Sequence, residues 1–240
     1  MLKLNRISIY DQIRNLSILE SVDLEIAKRE LVALVGCSGS GKTTLANLLA
    51  GTLPSSIKVQ GTVSWNNQIT NQAALAAQHT SVLHPDLTIK EQLFLFNKGR
   101  LQIRKIFNYL DLPESTLNMY PYQLSGGMAK RVLTCMALIQ ESSFIIADEP
   151  TCGLDEVNAK KLLTLYRSWS RLYAGIVIIS HDLPLMCQFA DKIFIMNSGT
   201  IIECTTPEQI IKGNCSSYTS SLWHSQPGFW KGKSSSGNRT

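Results

Sequence analysis

Gly36-Cys37-Ser38-Gly39-Ser40-Gly41-Lys42-Thr43 is the stretch on which the fold is decided. It fits the pattern GxxxxGK[ST], and its flanks give that pattern a structural setting. Before it, Leu31 to Val35 is a continuous apolar run, as in a strand buried on both faces. After it, Thr44 to Leu53 carries leucines at helical spacing, with Pro54 as the stop. A glycine-rich loop between strand and helix turns its backbone N–H groups inward around phosphate oxygens, and the helix start adds the positive end of its dipole. Lys42 is expected to reach the outer phosphates of a nucleotide and the Thr43 hydroxyl to ligate Mg2+. Gly36, Cys37, Ser38, Gly39, Ser40, Gly41 and Thr44 complete the cradle.

Two other segments extend this reading. Phe144-Ile145-Ile146-Ala147 is an apolar strand that runs into Asp148 and Glu149. A carboxylate at the carboxyl end of such a strand is placed to hold Mg2+ through water, which gives Asp148 its expected role. Glu149 would then polarise the attacking water as general base. Leu124-Ser125-Gly126-Gly127-Met128 precedes a helix with Val132, Met136 and Ile139 along one face. A serine N-cap followed by two glycines makes a second anion-binding helix start. One nucleotide does not need two such starts in the same chain. Each chain is therefore expected to offer Ser125, Gly126 and Gly127 to a nucleotide held by another chain.

Around these motifs the pattern alternates strand and helix. Residues 2–10 and 22–26 alternate apolar and polar as paired, half-exposed strands do, and 57–69 reads as a short strand region opening at Gly61. From about Thr88 to Glu141 the periodicity is helical, interrupted by Pro113, Pro121 and Gly126-Gly127. Asn158 to Trp169 reads as a helix, Ile176 to Ile179 as a buried strand, and Ile193 to Glu203 as a hairpin turning at Asn197-Ser198-Gly199. The expected fold is α/β, of the P-loop nucleotide hydrolase type. Its core is a mostly parallel sheet, with an N-terminal antiparallel β subdomain and an inserted helical subdomain at about 79–143. The folded domain is expected over 1–225. Residues 226–240, rich in Ser, Gly and Lys, read as a disordered tail.

Composition narrows the function classes. With 44% hydrophobic and 17% charged residues, 240 residues are enough to bury a core without disulfides. The net charge of +5 is scattered rather than striped, which gives no nucleic-acid face. The six cysteines form no CxxC pair and have no histidine at zinc spacing, so free thiols are expected. The start, MLKLNRISIY, lacks the apolar run of a signal peptide. No apolar run approaches the ~20 residues that span a bilayer, so any membrane role is expected to come through a partner.

The order of these motifs, with Gly153-Leu154-Asp155 and Ile176 to His181, resembles the ABC transporter ATPases over about residues 2–225. That resemblance implies further roles. Tyr10 matches the aromatic that stacks on adenine, and Gln78 the glutamine that senses Mg2+ and couples to the membrane subunits. Asp155 matches the loop that crosses a dimer interface, and His181 the histidine that contacts the γ-phosphate. Tyr120-Pro121-Tyr122-Gln123-Leu124-Ser125-Gly126-Gly127-Met128, Ile146-Ala147-Asp148-Glu149-Pro150-Thr151 and Tyr218-Thr219-Ser220-Ser221-Leu222 resemble the importers of oligopeptides, dipeptides and nickel, with the nickel type nearest in look.

The resemblance implies ATP and Mg2+ as cofactors and a second ATPase chain, a paralogue, as partner. It also implies two transmembrane permease subunits, an extracytoplasmic substrate-binding protein, and a peripheral place on the cytoplasmic face of the plasma (bacterial inner) membrane. Nickel, another metal chelate and a short peptide all stay open as cargo. Cys37 and Cys152 replace more usual residues at positions not expected to lend side chains to the chemistry. The cysteine-bearing C-terminal extension of many peptide-importer ATPases is absent, so no iron–sulfur cluster is expected. A non-transport ABC protein would carry tandem cassettes or a long coiled coil, and a non-hydrolysing subunit would lack Lys42, Ser125, Glu149 or His181.

Overall fold

The computed structural model describes residues 1–65, 72–96 and 103–225. Alternation builds the first layer. Strands β1 (Leu2–Asp11), β2 (Leu16–Ile26) and β4 (Ile57–Trp65) form an antiparallel sheet in the order β2-β1-β4. Leu2, Leu4, Ile7 and Ile9 all face inward. The two-residue period slips between Leu4 and Ile7, where Arg6 takes φ 46° and the register with β2 shifts. This is how a bulge keeps apolar residues on one face.

The second layer is a six-stranded sheet, ordered β5 (Ala74–Ala76), β6 (Phe144–Asp148), β7 (Gly175–Ser180), β3 (Leu31–Gly36), β8 (Lys192–Asn197) and β9 (Thr200–Thr205). All pairs are parallel except β8 with β9. Every residue of β3, β6 and β7 is buried, because both faces of the sheet are covered. Val32, Leu34, Ile146, Val177 and Ile179 face helix α1 (Lys42–Ala50) and the antiparallel sheet. Ala33, Val35, Ile145, Ala147, Ile176 and Ile178 lie on the opposite face with α4 (Gly126–Leu138) and α5 (Glu156–Leu172). Each fully buried aliphatic side chain stabilises the fold by about 1.5–3 kcal/mol relative to exposure. This is why continuous apolar runs, not alternating ones, mark these strands.

The remaining helices are α2 (Ile89–Phe96), α3 (Ile103–Tyr109), α6 (Leu183–Met186), α7 (Pro207–Ile211) and α8 (Ser217–His224). The stretch from Thr88 to Glu141 is not helical throughout. Between α3 and α4 it tightens into 3-10 turns at Glu114–Asn118 and Pro121–Gln123, where Pro113 and Pro121 remove backbone donors. Helix α1 ends at Ala50 rather than Leu53, since Gly51 caps it at φ 69°, before Pro54 is reached. Strand β4 spans Gly61, which takes φ 96° where the register with β1 shifts. The hairpin turn is the two residues Ser198-Gly199. The expected continuation of the strand region over 66–69 and the expected tail over 226–240 lie outside the described residues. All six cysteines are free thiols.

The fold brings the carboxyl ends of four parallel strands to one edge. Strand β3 leads into the glycine-rich loop, β6 ends at Asp148, β7 is followed by His181, and Gln78 lies two residues beyond β5. In open α/β sheets this edge is where ligands bind.

Candidate active site

The loop after β3 closes tightly. A Cβ on Gly36 would lie 2.1 Å from the Met196 carbonyl oxygen on β8, so only glycine lets the strand turn there. Gly41 holds φ 99°, a backbone conformation open to glycine, and caps α1 with no side chain of its own. Lys42, at the first position of α1, is buried. Its Nζ donates to the carbonyl oxygens of Gly36 (2.9 Å) and Cys37 (2.8 Å) and to Ser40 Oγ (3.3 Å). Burial pushes its pKa down, against the opposing pull of Glu149, Asp148 and Cys37.

Ser38, Gly39, Gly41, Lys42, Thr43 and Thr44 line one wall of a cleft of about 610 Å³. Gln78, Asp148, Glu149 and His181 line it from the other strands. Asp148 is only 4% exposed and its pKa is raised. Burial is the largest cause, Glu149 adds to it, and a hydrogen bond from Thr43 with the charges of Lys42 and Lys130 opposes it. Asp148 Oδ1 is buried without a hydrogen-bond partner among the described residues. An orphaned carboxylate oxygen beside a threonine hydroxyl is a donor set suited to a hard divalent cation. Among the described residues no three His, Cys, Asp or Glu side chains gather as a metal cage. A small oxygen-seeking cation would instead complete its shell with phosphates and water, as Mg2+ does.

Glu149 sits at φ 47°, in the left-handed region that a non-glycine residue rarely occupies. Its backbone N–H is held by the Ile179 carbonyl at 3.0 Å. The strain, of order 1–3 kcal/mol, accompanies a carboxylate that meets His181 Nδ1 at 2.9 and 3.0 Å. A carboxylate and an imidazole are thus joined at the mouth of the phosphate loop.

Residues 19–152 match the family model described as ABC transporter. The chain belongs to the ABC transporter ATPase family. It is an ATP-hydrolysing transporter ATPase with the fold of that family. One relative is the dipeptide transport ATP-binding protein DppD of Bacillus subtilis, 30% identical over 234 residues, covering 86% of this chain and 70% of the relative. Another is the nickel import ATP-binding protein NikD of Pseudomonas putida, 26% identical over 227 residues, covering 86% and 89%. Among solved structures, a dimeric bacterial ABC transporter cassette, MJ0796, is 25% identical with a TM-score of 0.74, covering 86% of this chain and 99% of that one.

In this ABC ATPase, the expected residues Ser125, Gly126, Gly127, Asp155 and Tyr10 do not line the cleft, and neither do Gly36, Cys37 and Ser40 of the loop itself. Ser125 and Gly126 are exposed at the start of α4, where Ser125 Oγ accepts from the Met128 N–H at 3.3 Å. A Cβ on Gly126 would meet nothing within 4 Å, and one on Gly127 only Leu154. Asp155 caps α5, accepting from the Asn158 N–H at 2.9 Å. Tyr10 lies on β1. Since Ile9 and Asp11 turn inward, Tyr10 faces the other way, lines a separate cavity with Lys58 and Gln60, and hydrogen-bonds Asn15. Arg14, Leu16 and Ile18 line the main cleft.

Sequence reasoning missed these three, because a strand start with one arginine and two aliphatics carries no chemical signal. It also set aside Cys152, which lines the cleft. Cys37 accepts a 3.3 Å hydrogen bond from the Tyr218 hydroxyl of α8, which pushes the Tyr218 pKa up to about 12. Lys130, two residues after Met128, went unremarked. Among the described residues no helix is long and apolar enough to cross a membrane.

Proposed function

We propose that the chain is the ATP-binding subunit of an importer for nickel, another metal complex or short peptides. The observation that carries this reading is the gathering of Lys42, Thr43, Gln78, Asp148, Glu149 and His181 on one cleft, while the second anion-binding helix start at Ser125 is exposed and does not line it. Lys42 and the loop N–H groups would hold the phosphates, and Thr43, Asp148 and Gln78 would hold Mg2+, whose charge neutralises the phosphate oxygens. Glu149 would orient and deprotonate the attacking water, and His181, fixed by Glu149, would meet the γ-phosphate. The base would lie on Leu16 and Ile18, with Arg14 beside it.

Ser125, Gly126, Gly127 and Asp155 would serve the nucleotide of a partner cassette, most simply a paralogue. Two permease subunits would sit against the surface near Gln78 on the cytoplasmic face of the membrane, and an extracytoplasmic binding protein would deliver the cargo. The domain would span 1–225, with the helical subdomain at about 79–143. The dipeptide and nickel relatives support this class of cargo and leave both members of it in place. The test is ATP turnover by the purified chain, with and without its permease in proteoliposomes loaded with binding protein and nickel or dipeptide. Uptake of neither cargo under ATP, with turnover intact, refutes the importer assignment and leaves the ATPase.

A further inference from the structure

We propose that Lys130 is a positioning residue that ties the Gln78 and Glu149 loops to the helix beginning at Ser125. This rests on reading the cleft as the site of ATP hydrolysis. Lys130 lies five residues past the Ser125 cap, on the side of α4 that packs along β5. Its Nζ donates to the carbonyl oxygen of Gln78 and, at 3.4 Å, to that of Glu149. Both oxygens belong to residues just beyond the ends of β5 and β6. One ammonium with three donors therefore pins two loops to one helix. Hydrogen bonds from a charged donor are roughly twice as strong as neutral ones.

The position of this amine is specific. It reaches carbonyl oxygens, not the neighbouring carboxylates, so what it fixes is backbone. The side chains of those same two residues, Gln78 and Glu149, line the cleft. Glu149 already holds a strained φ of 47°, and a contact on its carbonyl opposes relaxation of that peptide. Burial lowers the Lys130 pKa, and Cys152, Asp148 and Glu149 oppose that shift, which places the amine among the groups of the site. Lys130 also links two roles in one rigid element. The start of α4 would face the partner's nucleotide, while its second turn grips the loops that act on the chain's own.

The experiment compares steady-state ATP hydrolysis by the wild-type chain, Lys130→Met and Lys130→Arg, each purified in complex with its partner cassette, with a thermal melt of each. The phosphate grip of Lys42 and the loop does not depend on Lys130, so KM for ATP should stay within about 2-fold in Lys130→Met. Displacement of reacting groups by an ångström costs about 100-fold, so kcat should fall by about 10- to 100-fold. Lys130→Arg, which keeps charge and donors, should recover most of that loss. Should Lys130→Met fold poorly, Lys130→Gln is read for the same split, since its shorter amide cannot span both carbonyls. Wild-type kcat in Lys130→Met or Lys130→Gln overturns the proposal, as does a joint change of kcat and KM with a lowered melt that arginine does not restore. Absence of turnover in the wild type would instead overturn the reading of the cleft.

Discussion

Asp148→Asn should make the protein more stable while disabling it. Asp148 ends β6 with one carboxylate oxygen buried and without a partner, and its pKa lies above the ordinary carboxylate value. Burial and Glu149 thus outweigh the Thr43 hydrogen bond and the charges of Lys42 and Lys130. Because the folded state favours the protonated form, that form's stabilising contribution is present below the unfolded pKa of about 3.9 and lost as pH rises through the raised folded value. At neutral pH the ionised group therefore costs stability that asparagine, still able to accept from Thr43, does not. An unsatisfied buried polar group costs about 1–3 kcal/mol. Asparagine leaves that position unpartnered but uncharged, and relief of roughly 1 kcal/mol of the added cost of the charge would raise Tm by about 2–4 °C in a chain of this size. Calorimetry in a chelator at pH 7.5 and at pH 4 reads it, with the two proteins converging at the lower pH. Divalent-dependent ATP turnover should meanwhile fall at least 100-fold, the order expected when a catalytic group is lost. A lower Tm for the variant at pH 7.5, or a Tm gap that does not shrink at pH 4, refutes the electrostatic account.

Glu149→Gln keeps the shape of the side chain and its contact with His181, so nucleotide titration should be unchanged while turnover falls by about 10² to 10⁴; near-normal turnover removes Glu149 as the base. Lys42→Ala removes a charge-assisted contact to phosphate, worth about 1.5–3 kcal/mol, and should weaken ATP binding in a fluorescence titration by about 10- to 100-fold. Gly36→Ala places a methyl 2.1 Å from the Met196 carbonyl, and urea titration should show a loss of about 1–3 kcal/mol, as overpacking produces. In mixed dimers, Lys42→Ala on one chain with Ser125→Arg on its partner should leave one composite site working. Both changes on one chain should damage both sites, and equal loss in the two arrangements excludes action of Ser125 in trans.

What the sequence made legible was whatever has a short-range physical signature. Leu31 to Val35 and Phe144 to Ala147 read as strands because both faces of the sheet are covered, and a run with no polar residue admits few other places. The loop from Gly36 to Thr43 was legible because its backbone needs those glycines, and the Met196 carbonyl shows why at Gly36. The positions of Gln78 and His181 could not be derived from local pattern. Each lies just beyond a short strand, and only the resemblance of the whole series picked them out. Where the Tyr10 ring lies is likewise beyond local pattern, since the register of β1 with β2 shifts beside it. Arg14, Leu16 and Ile18 reach the cleft through a register that nothing in their residue types announces.

The exposed start of α4 makes an argument about assembly that the cleft alone does not. A helix start attracts an anion only within about its first turn. Ser125 and Gly126 are open to solvent, and none of the Ser125-Gly126-Gly127 segment lines the cleft. This supports the proposal that the segment serves a phosphate delivered by a second chain rather than one held by Lys42 in the same chain. The same helix carries Lys130, whose amine rests on the Gln78 and Glu149 backbones. If the partner's γ-phosphate draws Ser125 forward, α4 moves as one body and carries those two loops with it. Loss of that phosphate on hydrolysis would release them together. Under the proposed arrangement, coupling between the two nucleotides would need no added part, since a single helix would touch both sites.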